Sequence, residues 1–185
     1  ELIGGTVGKV RAYASSMKRD ISPVKEAERF CKLRDDLGFT AFKFRIGSEC
    51  GRGLDEWEGR TEEIIQLVPK ALGTGITKLV DANSCYSSKQ AIEIGRLLLE
   101  NDISHFEEPC PYWLPHETKK VTDSLSIDVT GGEQDCDMRL WQDMIDQKIV
   151  NIIQPDIMYM GGLTRSLRVA DMAGFAKVIC TPHSA

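Results

Sequence analysis

Residues 76–87 read ITKLVDANSCYS. A short apolar run, Leu79 and Val80, stops at Asp81 and Asn83 and gives way to small polar residues. Buried strands commonly end in turn formers, so one such acid is ordinary punctuation. The same ending recurs, however. Glu107 falls in SHFEEP (104–109), Glu133 closes SIDVTGGE (126–133), Asp156 closes VNIIQPD (150–156), and His183 sits near the end of AKVICTPHS (176–184). From Asp81 onward the intervals are 26, 26, 23 and 27 residues, a nearly constant period.

Helical patterns fill the gaps. PVKEAERFCKLRDDLG (23–38) places Val24, Ala27, Phe30 and Leu37 near helical spacing and ends on Gly38, a C-terminal cap. Helices are predicted over 61–72, 115–124 and 161–174, and over 87–101, whose serines suit an N-terminal cap. In 137–147, Leu140, Trp141, Met144 and Ile145 form a core stripe. Further strands are expected at 9–15 (KVRAYAS), 41–46 (AFKFRI) and 77–81. Strict alternation of strand and helix with short connections requires a parallel sheet, either doubly wound or closed as a TIM-type (β/α) barrel. A doubly wound sheet gathers its functional residues near one switch point, whereas a barrel presents them at every C-terminal strand end. The chain also lacks a G-x-G-x-x-G or G-x-x-x-x-G-K-[ST] phosphate cradle. It therefore reads as an α/β, TIM-type barrel, incomplete here: strands one to seven, without the eighth.

Bulk properties exclude several classes. With 42% hydrophobic and 28% charged residues, the 185-residue chain is no disordered segment. A net charge of −5 offers no broad basic face, so nucleic acid is not expected as a partner. No apolar run approaches the roughly 18 residues that would suggest a membrane span, so no membrane partner is expected. Six cysteines without C-x-x-C spacing are expected as reduced thiols in a cytoplasmic protein. The chain opens without Met and stops right after a strand pattern, which reads as part of something longer.

Asp81, Glu107 and Glu133 close three consecutive predicted strands. Neighbouring strands lie about 4.8 Å apart, so carboxylates at their tips can converge and would raise one another's pKa. A divalent cation removes that conflict. Oxygen-only ligation points to a hard ion, Mg²⁺ ahead of Mn²⁺. Lys43 and Arg45, two apart on a strand, share a face, leaving Phe42, Phe44 and Ile46 for the helices. The two cations form a clamp for a carboxylate, an acid/base lysine beside such a clamp, or a salt-bridged pair. Asp156 beside His183 would fix the imidazole tautomer and make it a general base. His105 is expected within a strand, in the core or beside the site, and His116 in solvent. Tyr112 and Trp113 either line the pocket rim or pack on a neighbouring loop. The Gly-rich loop 47–59 either closes over the site or is a surface loop.

Six stretches in order, AFKFRIG, VDANSCYS, FEEPCPYW, TGGEQ, QPDIMYMGGLTRSL and TPHSA, resemble the barrel domain of the enolase superfamily, and more closely its mandelate racemase branch, which includes acid-sugar dehydratases. The resemblance implies that Asp81, Glu107 and Glu133 bind Mg²⁺ and that His183 with Asp156 is the acid/base dyad. Lys43 would contact the substrate carboxylate, and Asn83 would lie near the bound acid. A departure is Arg45, where racemases of this branch carry a proton-exchanging lysine. A guanidinium is a poor proton carrier at neutral pH but a good hydrogen-bonding fork. One-base elimination therefore suits these residues better than racemisation: proton removal by His183 builds an enediolate, which expels the β-hydroxyl as water. The expectation is a Mg²⁺-dependent dehydratase of an aldonate or aldarate. The alternatives are a racemase or epimerase of a 2-hydroxy acid, and a non-catalytic acid-binding barrel. Residues 1–5 are expected to be the remnant of a connection from an absent N-terminal lid domain, residues 6–185 the partial barrel, and the whole a homo-oligomer acting on a small carboxylic acid.

Overall fold

A computed structural model describes residues 3–5 and 8–183. Strand and helix alternate throughout: β1 (Ala14–Ser15), α1 (Pro23–Leu37), β2 (Ala41–Arg45), α2 (Arg60–Leu72), β3 (Thr77–Asp81), α3 (Ser88–Glu100) and β4 (His105–Glu107). Then follow α4 (Pro115–Ser124), β5 (Asp128–Gly131), α5 (Met138–Asp146), β6 (Ile152–Ile153), α6 (Leu163–Ala176) and β7 (Ile179–Cys180). The seven strands are parallel and pair in sequence order, β1 to β7. This is the barrel wall expected from the alternation. Among the described residues β1 and β7 stand at its two edges.

Alternation in β2 decides what each face carries. Phe42, Phe44 and Ile46 are fully buried against the helical layer, with Val80, Phe106, Val129 and Ile153 continuing that core along the other strands. Phe30, Ile64, Val68, Leu98, Val121, Trp141 and Val169 meet them from the helices. Burying each such side chain contributes on the order of 2 kcal/mol. The helix ends follow the local chemistry. Ser22 caps α1, Pro23 occupies its first turn, and Gly38 closes it at φ 70°. Ser87 and Gln90 form a reciprocal capping box at the start of α3.

Three expectations need correction. The strand expected over residues 9–15 shrinks to Ala14–Ser15; Val10 is almost wholly exposed, and Arg11 turns back to bond the Thr40 carbonyl and the Thr77 hydroxyl. Val24 and Leu37 face solvent: the buried face of α1 runs through Pro23, Glu26, Ala27 and Phe30, Val24 turns away from it, and Leu37 is the last residue of the helix. The stripe on α5 holds for Trp141, Met144 and Ile145, while Leu140 is only half-buried. Residues 1–5 lie partly, and the closing Ser184 and Ala185 wholly, outside the described residues. All six cysteines are free thiols.

Candidate active site

Parallel register sets the site. Arg45, Asp81 and Glu107 are direct neighbours across β2, β3 and β4. Lys43 pairs with Leu79, and Leu79 with His105, one layer lower on the same face. Lys43 Nζ donates to both Glu107 oxygens at 2.8 Å and lies 3.8 Å from Asp81 Oδ2. Arg45 donates to Asp81 Oδ2 at 3.0 Å, to the Ser16 carbonyl at 3.2 Å, and to Asn83 Oδ1. Asp81 also makes the turn, since its Oδ1 accepts the Asn83 backbone N–H at 2.8 Å while Asn83 and Ser84 adopt left-handed φ of 42° and 61°. Glu133 lies two residues beyond β5, after Gly132 at φ 104°, where an added Cβ would come within 2.5 Å of the Trp141 ring. Only glycine lets the chain pass Trp141 and deliver Glu133 to the acids.

Asp156 and His183 form a bridge between the chain segments that follow β6 and β7. His183 Nδ1 and Asp156 Oδ2 are 2.8 Å apart. Asp156 Oδ1 accepts the backbone N–H groups of Met158 and Tyr159 at 2.7 and 3.0 Å. Burial works against the Asp156 carboxylate, but these bonds and His183 outweigh it and hold its pKa below the ordinary range. The imidazole is thus oriented from behind. Its Nε2 stands 3.3 Å from Glu133 Oε2, without hydrogen-bond geometry.

The acids behave as a crowded set. Burial first, then Glu107 and Asp81, push Glu133 up to about 7. Burial and Glu107 likewise raise Asp81 against the pull of Lys43 and Arg45. Burial alone would lower the Lys43 ammonium, yet Glu107 and Asp81 reverse that and leave it above its usual value. The site is therefore rich in negative charge that two basic side chains neutralise in part.

The donor set can be tested against the hard cation expected from the sequence. Among the described residues no three His, Cys, Asp or Glu side chains stand as a ready-made cage, because Lys43 and Arg45 clasp Glu107 and Asp81. Two observations nevertheless fit a cation. Glu107 and Asp81 push up Glu133, Glu107 pushes up Asp81, and Glu133 Oε2 is buried with no hydrogen-bond donor. An orphaned, buried carboxylate oxygen beside two further carboxylates is what an oxygen-seeking divalent ion satisfies.

The structure brings Lys43, Arg45, Asp81, Asn83, Glu107, Glu133, Asp156 and His183 to the same end of the sheet through the contacts above. His105 is half-buried, 2.7 Å from the Ser104 hydroxyl, with its pKa lowered by burial; His116 is exposed. Trp113 packs on the 47–59 loop at Gly51 and meets Tyr112 edge to face, while Tyr112 also lines a small hollow with Glu108 and Gly132. Two residues were missed. Glu108 is buried at φ 41° with Oε1 unpaired, and burial followed by Glu133, Asp81 and Glu107 pushes it up to about 9. The doubled acid in FEEP was its only signal. Arg19 donates to Asn83 Oδ1 from 64 positions away, with no periodic signal at all. A hollow of about 330 Å³ between α2 and α3, lined by Tyr86, Gln90 and Glu93, shares no residue with these groups.

The parallel barrel wall thus carries acids, a Lys–Arg pair and a His–Asp dyad at its C-terminal strand ends, the face where barrels of this kind keep their functional residues. Residues 25–185 match the enolase C-terminal domain-like family, and the chain belongs to that family, in its mandelate racemase branch. A solved structure from Roseobacter denitrificans, carrying a provisional racemase assignment, is 59% identical with a TM-score of 0.97, covering 100% of this chain and 50% of that one. A mandelate racemase/muconate lactonizing protein from Paracoccus denitrificans PD1222, complexed with magnesium, is 27% identical with a TM-score of 0.87, covering 99% of this chain and 50% of that one. Arabinonate dehydratase from Saccharolobus solfataricus is 27% identical over 99% of this chain and 48% of its own length. Further curated relatives include sugar-acid dehydratases, a cycloisomerase and epimerases. The chain spans about half the length of the curated relatives it matches.

Proposed function

We propose that the chain is the catalytic barrel of a Mg²⁺-dependent dehydratase of a sugar acid, an aldonate or aldarate. The observation that carries this reading is the pairing of one oriented imidazole, His183 on Asp156, with a carboxylate cluster that Lys43 and Arg45 only partly neutralise. The dehydratases among the relatives support it. Asp81, Glu107 and Glu133 would hold the magnesium ion, which supplies Lewis-acid stabilisation of charge on the substrate carboxylate.

The chain's own residues do the rest. Lys43 binds the substrate carboxylate and offsets the second negative charge that develops when the α-proton leaves. Arg45 and Asn83 orient the acid by hydrogen bonds. His183 takes the α-proton at Nε2, because Asp156 occupies Nδ1 and fixes the tautomer. The enediolate electrons then form the C=C bond as the β-hydroxyl departs, and protonated His183 returns its proton to that oxygen to give water. The enol product tautomerises to a 2-keto-3-deoxy acid.

The test is to incubate the full-length protein and Mg²⁺ with a panel of aldonates and aldarates. A 2-keto-3-deoxy product is expected. A second reading, racemase or epimerase, has the epimerases among the relatives in its favour and Arg45 against it. In D₂O it would show as deuterium in recovered substrate of inverted configuration, with no keto acid formed. Binding without turnover across the panel would favour an acid-binding barrel.

A further inference from the structure

The cations at this site are unequally matched. Lys43 has Glu107 and Arg45 has Asp81. Arg19, on the connection between β1 and α1, forms no ion pair with any acid among the described residues. Its guanidinium donates instead to Asn83 Oδ1, the same oxygen that accepts from Arg45. Its Nε–H is buried and has no acceptor. Burial first, and then Arg45, lower the Arg19 pKa, with Asp81 opposing. A single amide oxygen carries only a partial charge, so it does not match Arg19 as Asp81 matches Arg45. A guanidinium does not shed its proton at neutral pH, so the orphaned Nε–H of Arg19 keeps a hydrogen bond to give, and an oxyanion is the acceptor that fits it.

We propose that Arg19, with Arg45 and Asn83, binds a second oxyanion of the substrate, besides the carboxylate that is enolised. The buried Nε–H together with the terminal NH₂ groups gives Arg19 the planar fork that carboxylates and phosphates accept. The shared chemistry is a sugar acid with two anionic groups: an aldarate, or an aldonate bearing a phosphate. This inference rests on the reading of the site as one that enolises a sugar acid, and it selects within that class.

Affinity separates the two claims. The full-length His183→Asn protein with Mg²⁺, which cannot turn substrate over by the proposed route, is titrated calorimetrically with galactarate against galactonate and with 6-phosphogluconate against gluconate. Galactarate or 6-phosphogluconate is expected to bind tenfold or more tightly than its monoacid partner, and which pair responds tells a carboxylate from a phosphate. Adding Arg19→Gln should shrink that ratio at least tenfold. Arg19→Lys, which keeps the charge but loses the fork, should fall between and decides the matter if Arg19→Gln does not fold. Monoacids that bind as tightly as galactarate and 6-phosphogluconate, or an Arg19 variant that weakens all four ligands by one factor, would overturn the proposal. If the unmutated enzyme turns over none of these acids, the dehydratase reading fails, and the Arg19 claim still stands or falls on the affinities.

Discussion

His183 spends one nitrogen on Asp156 and leaves the other for the proton transfer proposed above, which makes its replacement the sharpest residue-level test. His183→Asn should lower kcat by about 10²- to 10⁴-fold, with substrate affinity by calorimetry changed far less. Asp156→Asn retains the shape but cannot serve as the same acceptor to both the imidazole and the two backbone N–H groups. It should lower kcat by a comparable or smaller factor, with KM nearly constant. Unaltered kcat in both variants would remove the dyad from the reaction. Residues of this kind were legible because an apolar run that stops at a charged group is visible in one dimension, as at Asp81, Glu107 and Glu133. Arg19 and Glu108 were not. Arg19 reaches Asn83 only after two βα units have folded, and Glu108 is buried by a left-handed backbone turn that nothing in FEEP encodes.

At the scale of elements, Gly132 joins packing to function. Gly132→Ala would force a side chain into a left-handed backbone and against the Trp141 ring. A loss of about 2–4 kcal/mol in urea unfolding is expected, with activity falling further as Glu133 is displaced. Ser87→Ala, which removes half of the α3 capping box, should cost about 1 kcal/mol and leave the site untouched. Helix ends were readable because caps are local chemistry: Ser22, Gly38 and Ser87 each act within a few residues. The first strand was misjudged because its alternating pattern lacked what pairing requires. Only Ala14 and Ser15 find partners, Phe42 and Lys43, on β2.

For the whole molecule, the crowded acids make stability depend on pH. Glu133, at about 7, and Glu108, at about 9, keep protons in the fold that the unfolded chain releases near its ordinary carboxyl pKa. A raised carboxyl therefore favours the fold most in acid and loses that advantage as pH rises through the folded value. Without divalent cations, thermal stability should fall from about pH 5 to pH 7 and again towards pH 9, by on the order of 2–3 kcal/mol for Glu133 alone. Glu133→Gln should flatten the first decline, and Mg²⁺ should restore stability at the alkaline end. A metal-free protein equally stable at pH 5 and 8 would contradict the mutual repulsion assigned to these groups.

The two margins of the wall have a practical result. β1 and β7 leave backbone donors and acceptors unshared among the described residues, and beside β7 Ile179 and Phe175 are largely open to water. Produced by itself, this polypeptide should stick to its own copies margin to margin, and light scattering should grow with concentration. Ile179→Lys should suppress that clumping while leaving the acid cluster and the dyad in place.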